Sequence, residues 1–152
     1  MNSSTLNPHN NNHNKANGLS LRSAIPHDLI SQKLCYNRVM QILNAPIKKS
    51  SLKDCQNKIG DFAVKAVVDI KRQLLAIDAE MHADLEQFLL ENGSDQYDLW
   101  GINLYFNESD LDGFIEYDSL INIRPSQHNR SRGVDSPDIR KKIVGVVSKW
   151  IN

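Results

Sequence analysis

The sequence contains little cysteine, and it contains no cysteine pair with the spacing of a metal site. Only two of its 152 residues are cysteines, Cys35 and Cys55. Two cysteines in a chain of this size do not form the disulfide framework of a small secreted protein, so a reducing compartment is the simpler interpretation. The lack of a CxxC motif and of Cys/His spacing also argues against a structural zinc site.

Long apolar runs and an excess of positive charge are missing as well. The longest apolar run is far shorter than the roughly 18 residues that span a bilayer, and the N-terminus lacks the apolar core of a signal peptide. The 18 Lys and Arg residues balance 18 Asp and Glu residues, which argues against a protein that coats nucleic acid or a membrane through bulk charge. We therefore expect a soluble, cytoplasmic protein with no membrane partner.

The apolar residues that are present suffice for one core. Hydrophobic residues make up 40% of the chain, which fits a single compact domain. Residues 1–37 are rich in asparagine and begin with a stretch that has almost nothing to bury, so we predict a disordered or weakly ordered tail. Residues 38–152 are then predicted to form the single folded domain.

Hydrophobic periodicity within this domain predicts the order β-α-β-α-β-β-α. The predicted strands cover residues 39–44, 65–77, 100–106 and 114–124, and the predicted helices begin near Ser50, Asp78 and Ser136. The segment 65–77 also fits a helical stripe, but its β-branched start favours a strand. We expect an α+β fold with a small, mostly antiparallel sheet and helices on one face.

Acidic and basic residues are separated along the chain. No Lys or Arg occurs between Asp78 and Asp118, a segment with twelve acidic residues, whereas Arg124, Arg130 and Arg132 follow closely. This asymmetry indicates either an electrostatic partner or an internal pairing of oppositely charged faces. A protein-interaction domain, in which the acidic segment meets a basic partner and the arginines are structural, is one interpretation.

The arginine-rich loop is the first candidate for a ligand-binding site. Its hydrogen-bonding side chains are Arg124, Ser126, Gln127, Asn129, Arg130, Ser131 and Arg132. Guanidinium groups bind phosphate or carboxylate through two hydrogen bonds, and the loop leads to a predicted helix N-terminus, which also favours an anion. We predict a binding module that holds a phosphate-bearing ligand or RNA. Alternatively, Arg124 or Arg130 pairs with the acidic segment and locks the fold.

The second candidate site consists of Glu80, His82 and Asp84, which suit a divalent metal and phosphoester hydrolysis. It predicts a metal-dependent nuclease or phosphohydrolase, although on a continuous helix His82 points away from Glu80 and Asp84. Otherwise these acids complement the helix dipole. Residues 108–119 match the start of a calcium loop, but Ser119 stands where the bidentate Glu belongs, so we expect an acidic turn and no metal there. No cofactor is indicated.

Five segments carry a recognisable pattern: GDFAVKAVVDI (60–70), EMHADLE (80–86), DLWGINLY (98–105), IEYDSLINIRPSQ (115–127) and NRSRGV (129–134). Together they resemble a small prokaryotic family of uncharacterised proteins, from about residue 39 to the C-terminus. The resemblance implies a domain boundary near residue 38 and no activity, cofactor or substrate. The family pattern has glycine at the positions of Asp78, Ala79 and His128.

Overall fold

The computed structural model describes residues 40–152 of the chain. The predicted tail, residues 1–37, lies outside the described residues, and so does the domain boundary expected near residue 38. The predicted first strand is described only from Met40 onward.

The centre of the fold is an antiparallel sheet. Its strands are β1 (Gln41–Ile42), β2 (Lys58–Ile59), β3 (Ala63–Asp69), β4 (Leu74–Ile77), β5 (Leu99–Tyr105) and β6 (Ile115–Glu116). The strand order is β1-β4-β3-β5-β6, with β2 beside the start of β3, and every one of these pairings is antiparallel. The predicted α+β class with a mostly antiparallel sheet is confirmed.

Within residues 40–152, three α-helices accompany the sheet: α1 (His82–Glu91), the single turn α2 (Leu111–Phe114) and α3 (Pro137–Trp150). The start of α3 follows its sequence signal, because the Ser136 hydroxyl accepts a hydrogen bond from the Ile139 amide and Pro137 takes the first helical position. None of the helices within residues 40–152 has the length and apolarity needed to cross a membrane.

The two long helices lie on opposite faces of the sheet. Along β3, Val64, Ala66 and Val68 belong to the apolar cluster that contains Ile143, Val146 and Val147 of α3. The intervening residue Val67 belongs to a second cluster with Leu85 and Leu89 of α1. Because successive side chains of a strand point to opposite faces, the prediction of helices on one face is wrong. Both faces of the central strands are buried, and their nearly continuous apolar run reflects this.

Three predicted elements differ from the structure. The strand predicted at 65–77 is a hairpin of β3 and β4, whose turn is held by the Asp69 carboxylate accepting from the Lys71 and Arg72 amides. The helix predicted near Ser50 is a 3-10 turn, Lys49–Asp54. The strand predicted at 114–124 is wrong beyond β6: 3-10 turns follow at Leu120–Asn122 and Pro125–Gln127. Local periodicity missed the turn of the β3–β4 hairpin because the Asp69 side chain holds it, and hydrophobic spacing does not encode such a bond.

Two of the positions where the family pattern has glycine adopt a left-handed backbone. The φ angle is 72° at Asp78 and 59° at His128. Side chains other than glycine adopt this conformation at a cost of roughly 1–2 kcal/mol. Hydrogen bonds offset the cost at Asp78, whose carboxylate accepts from the amides of Gln56 and Asn57 at 3.1 and 2.8 Å.

Candidate functional site

The guanidinium of Arg124 is used inside the protein. Its Nη2 lies 3.0 Å from Glu86 Oε1 of α1, while Nε donates to the Ile121 carbonyl at 2.9 Å and Nη1 to the Gln96 carbonyl at 2.5 Å. The side chain is only 10% exposed. Burial lowers the pKa of Arg124, and the Glu86 carboxylate opposes that shift. Internal pairing with the acidic segment, the alternative drawn from the sequence, is what the structure shows for Arg124.

Two buried asparagines shape the rest of the loop. The Asn122 amide bonds both backbone groups of Gly101, accepting from its N–H at 2.8 Å and donating to its carbonyl at 2.9 Å. Asn122 also donates to the Arg132 carbonyl. Asn129 donates to the Asn122 carbonyl and accepts from the Asp135 amide. The Asn122 side chain thus occupies the edge of β5 beyond the end of β6, and Asn129 supports it.

Arg132 and Ser131 also have partners within the protein. Arg132 forms a two-point ion pair with Asp118, with Nε 2.6 Å from Oδ1 and Nη2 3.1 Å from Oδ2. The Ser131 hydroxyl donates to the Asp135 carboxylate at 2.7 Å. These two pairs satisfy the polar side chains of Arg132 and Ser131 within the protein. Because both pairs lie at the surface, each contributes little to stability.

Three of the predicted loop residues, Arg124, Ser126 and Gln127, line one groove of about 540 Å³. Gln127 donates to the Tyr97 carbonyl at 2.8 Å. Arg130 and Ser126 are exposed, and Arg130 forms no ion pair within residues 40–152. The three arginines therefore do not share one ligand position: Arg124 contacts α1, Arg132 contacts Asp118, and Arg130 lies in solvent.

The start of α1 places the three residues of the second candidate site, Glu80, His82 and Asp84, in different surroundings. His82 is buried, whereas Glu80 and Asp84 are exposed and line a different groove. Within the part of the chain that the structure describes, no three His, Cys, Asp or Glu side chains are grouped to hold a metal ion. In the calcium-like segment, Asp110 caps α2 by accepting from the Gly113 amide at 2.7 Å.

A pocket of about 520 Å³ lies on the α1 side of the sheet. We call it the Asn103 pocket. Its polar lining consists of Lys65, His82, Asn103, Tyr105, Glu116, Asp118, Ser119 and Arg132, with Met81, Leu120 and Ile121 among its apolar lining. Lys65, Asn103 and Glu116 lie opposite one another on β3, β5 and β6, so the strand register brings them to one face. Of the polar set, the sequence prediction included only His82 and Arg132.

Two buried polar atoms of this pocket have no hydrogen-bond partner among the described residues. They are Asn103 Oδ1 and Ser119 Oγ, on side chains of residues that are 6% and 1% exposed. The orientation of Asn103 is fixed because its Nδ2 donates to Glu116 Oε2 at 2.8 Å. Buried polar groups in folded proteins are nearly always hydrogen-bonded to protein, water or a ligand, so each of these atoms calls for a partner from outside the chain. Asp69 Oδ2 and Trp100 Nε1, which lie outside this pocket, are unpaired among the described residues as well.

His82 forms one end of the pocket. Its Nε2 lies 2.8 Å from the Ile102 carbonyl oxygen. Since a carbonyl only accepts, Nε2 carries the proton, and in the neutral ring Nδ1 is an acceptor. Burial lowers the pKa of His82, the Ile102 carbonyl opposes the shift, and the Lys65 ammonium adds to it. The ring is therefore kept neutral, close to the charge of Lys65.

Gly101 allows Ser119 to lie directly on the sheet. A Cβ at position 101 would stand 2.5 Å from Ser119 Oγ and 2.6 Å from Ser119 Cβ, closer than side chains tolerate. The sequence carries a signal for this pocket. Lys65 and Asn103 are polar residues in the interior of mostly apolar strands, and such residues need a reason to face a buried surface.

Residues 41–150 match the model of a family described as "Protein of unknown function (DUF5674)". No curated protein and no solved structure matches the chain.

Proposed function

The chain belongs to this family of proteins of unknown function, and we propose that it binds a small polar molecule in the Asn103 pocket. The observation that carries the proposal is the pair of buried, unpaired atoms, Asn103 Oδ1 and Ser119 Oγ, in the lining of one pocket. A bound molecule would supply the hydrogen bonds that the protein does not.

The cost of such atoms supports this interpretation. An unpaired buried polar group costs roughly 1–3 kcal/mol, which is a large share of the stability of a small domain. The neighbouring loop pairs its buried amides almost completely, as the hydrogen bonds of Asn122 and Asn129 illustrate. Water or a bound molecule in the pocket would supply the partners that the two pocket atoms lack within the described residues.

The size and charge of the pocket fit a small polar ligand. Its volume of about 520 Å³ falls in the range of small-molecule sites, roughly 300–1,000 Å³. Lys65 and Glu116 line it without forming an ion pair to any residue of the described range. Neither charge is therefore neutralised by an ion pair in that range, although Glu116 Oε2 accepts hydrogen bonds from Asn103 and Tyr105.

Binding of a phosphate-bearing ligand or RNA by the arginine loop is a second proposal. Its support is narrower, because Arg124 and Arg132 already have carboxylate partners and only Arg130 is an exposed cation without one. A metal-dependent nuclease has less support still, since Glu80 and Asp84 line a groove apart from His82. The protein-interaction alternative gains from the structural role of Arg124.

Thermal melting of the full chain against a library of small metabolites, nucleotides and short RNA tests the pocket. Saturation at about 100 times Kd stabilises a protein by about 2.7 kcal/mol, which melting detects readily. The decisive variant is Ser119→Ala. Because Ser119 Oγ has no partner among the described residues, its removal should leave the unliganded protein as stable or more stable while reducing the ligand-induced shift.

Arg130→Ala is the matched control, since it removes an exposed loop cation and leaves the pocket intact. We expect it to keep the ligand-induced shift. A shift that Arg130→Ala abolishes and Ser119→Ala retains would instead assign binding to the loop. If no compound stabilises the protein at millimolar concentration, the proposed function is wrong.

A further inference from the structure

The polar atoms of the Asn103 pocket are mostly acceptors at one end. Asn103 Oδ1 can only accept, Glu116 is a carboxylate without a cationic partner in the described range, and Ser119 Oγ is unpaired. Tyr105 does not reverse this balance, because its hydroxyl already donates to Glu116 Oε2 at 3.1 Å. A primary ammonium group has three N–H donors and no acceptor, so it complements these three groups.

The opposite end of the pocket favours an anion. Lys65 lies in register with Asn103 on the side away from Glu116, and its ammonium is close enough to lower the pKa of His82. With strands about 4.8 Å apart, the Lys65 and Glu116 backbones stand roughly 10 Å from one another across Asn103. The register therefore gives the pocket a positive end and a negative end.

The start of α1 strengthens the positive end. Met81, His82 and Ala83 line the pocket, and the Met81 position provides no side-chain cap for the first helical amides. Such amides, together with the helix dipole, favour a carboxylate. The nearby acid Asp84 lines the neighbouring groove, and Glu80 lines both that groove and a smaller pocket that it shares with Lys65.

Resting on the proposed function, we propose that the ligand is a small zwitterion, a molecule with a primary ammonium and a carboxylate. The carboxylate lies toward Lys65 and the start of α1, and the ammonium lies toward Asn103, Ser119 and Glu116. The remaining charges, Asp118 and Arg132, neutralise each other in their ion pair. A phosphate would face Glu116 and Asn103 Oδ1 unfavourably, and a neutral sugar would leave Lys65 and Glu116 without charge partners.

Calorimetric titration of the full chain with matched probes tests the ligand class. The zwitterions are the common L-amino acids together with β-alanine, 4-aminobutyrate and 6-aminohexanoate, which vary the distance between the two charges. The half-probes are butyrate and butylamine, and inorganic phosphate is the third comparison. At least one zwitterion should bind at least about tenfold more tightly than both half-probes and phosphate, since only a zwitterion places a charge at both ends of the pocket.

Two variants that each remove one charge test which end of the pocket binds the ammonium and which binds the carboxylate. Glu116→Gln keeps an acceptor beside Asn103 but removes the negative charge, and it should weaken zwitterion binding about tenfold or more while leaving butyrate unaffected. Lys65→Met should weaken the zwitterion comparably and leave butylamine unaffected. Glu91→Gln, which removes a carboxylate of the neighbouring groove, is the control and should change neither.

The outcomes separate this inference from the proposed function. If butyrate or phosphate binds as tightly as every zwitterion, the ligand class is wrong. If no zwitterion binds but another library compound does, and Ser119→Ala weakens that binding, the class is again wrong and the pocket remains the site. If no compound binds at all, both proposals fail together.

Discussion

The arginine loop and the Asn103 pocket use the same residue types to different ends. In the loop, the Asn122 amide bonds through both its oxygen and its nitrogen. In the pocket, the Asn103 amide bonds only through its nitrogen, and its buried oxygen has no partner among the described residues. The role of an asparagine in this protein therefore does not follow from its residue type. It follows from whether the fold completes the hydrogen bonds of its side chain.

The two regions are also mechanically connected. The Arg132 carbonyl accepts from the Asn122 amide and from the Ser119 backbone N–H at 2.9 and 3.0 Å. The loop thereby holds Ser119 against the sheet at Gly101, where it lines the pocket. A rigid, internally paired loop is a suitable support for a site whose own polar atoms are left unpaired.

The largest difference in unfolding free energy between the two regions is expected at their asparagines. Asn122→Ala leaves the N–H and carbonyl of Gly101 buried without their partner, so we expect a loss of roughly 3–5 kcal/mol in the free energy of unfolding. Asn103→Ala removes one hydrogen bond to Glu116 and one unpaired oxygen, and should cost about 1 kcal/mol. Urea denaturation of both variants measures the difference. Equal losses would break the comparison.

A similar contrast is expected between two arginines of the loop. Arg124→Met leaves Glu86, whose side chain is 13% exposed, without its charge partner and should destabilise the protein by about 3 kcal/mol. Adding Glu86→Gln should recover part of this loss. Arg130→Ala should change stability by less than about 0.5 kcal/mol, because that side chain is exposed and unpaired in the described range. Chemical denaturation of the unchanged protein and the three variants measures these losses. Equal losses of unfolding free energy in Arg124→Met and Arg130→Ala would contradict the structural role of Arg124.

The pocket should contribute a pH dependence that the loop lacks. Burial lowers the pKa of His82 below its ordinary value of 6.5, so the unfolded chain binds this proton more readily than the folded protein does. The contribution of neutral His82 to the free energy of unfolding should therefore be fully present above pH 6.5, and it should be lost as the pH drops below that value. His82→Gln should flatten the change in unfolding free energy between pH 7.5 and 5.5. The exposed His128, changed to Gln, is the control and should retain the full change.

The smallest expected effect concerns the turn of the loop. His128 has a φ of 59°, which glycine adopts without steric cost, so His128→Gly should raise the free energy of unfolding by up to about 1 kcal/mol. At Gly93, with a φ of 88°, the reverse exchange Gly93→Ala should lower it by about 1 kcal/mol. Thermal melting of both variants suffices. A destabilised His128→Gly protein would show that this side chain has a role beyond its backbone conformation.

The elements that sequence predicted well are those with local causes. The helix α3 follows from the Ser136 cap, the proline at its first position and an apolar stripe that recurs at helical spacing. The strand β5 follows from a short apolar run within DLWGINLY. Each signal lies within a few residues of the structure that it specifies, so no knowledge of the rest of the chain was needed.

The α+β class, the long helices and the separation of acidic from basic residues thus follow from the order of the amino acids alone. Only the tertiary structure decided which arginine meets which carboxylate, that helices cover both faces of the sheet, and that Lys65, Asn103 and Glu116 share a pocket. The physical reason is that these contacts join residues far apart in the chain. They depend on strand register and on side-chain hydrogen bonds, which local periodicity does not encode.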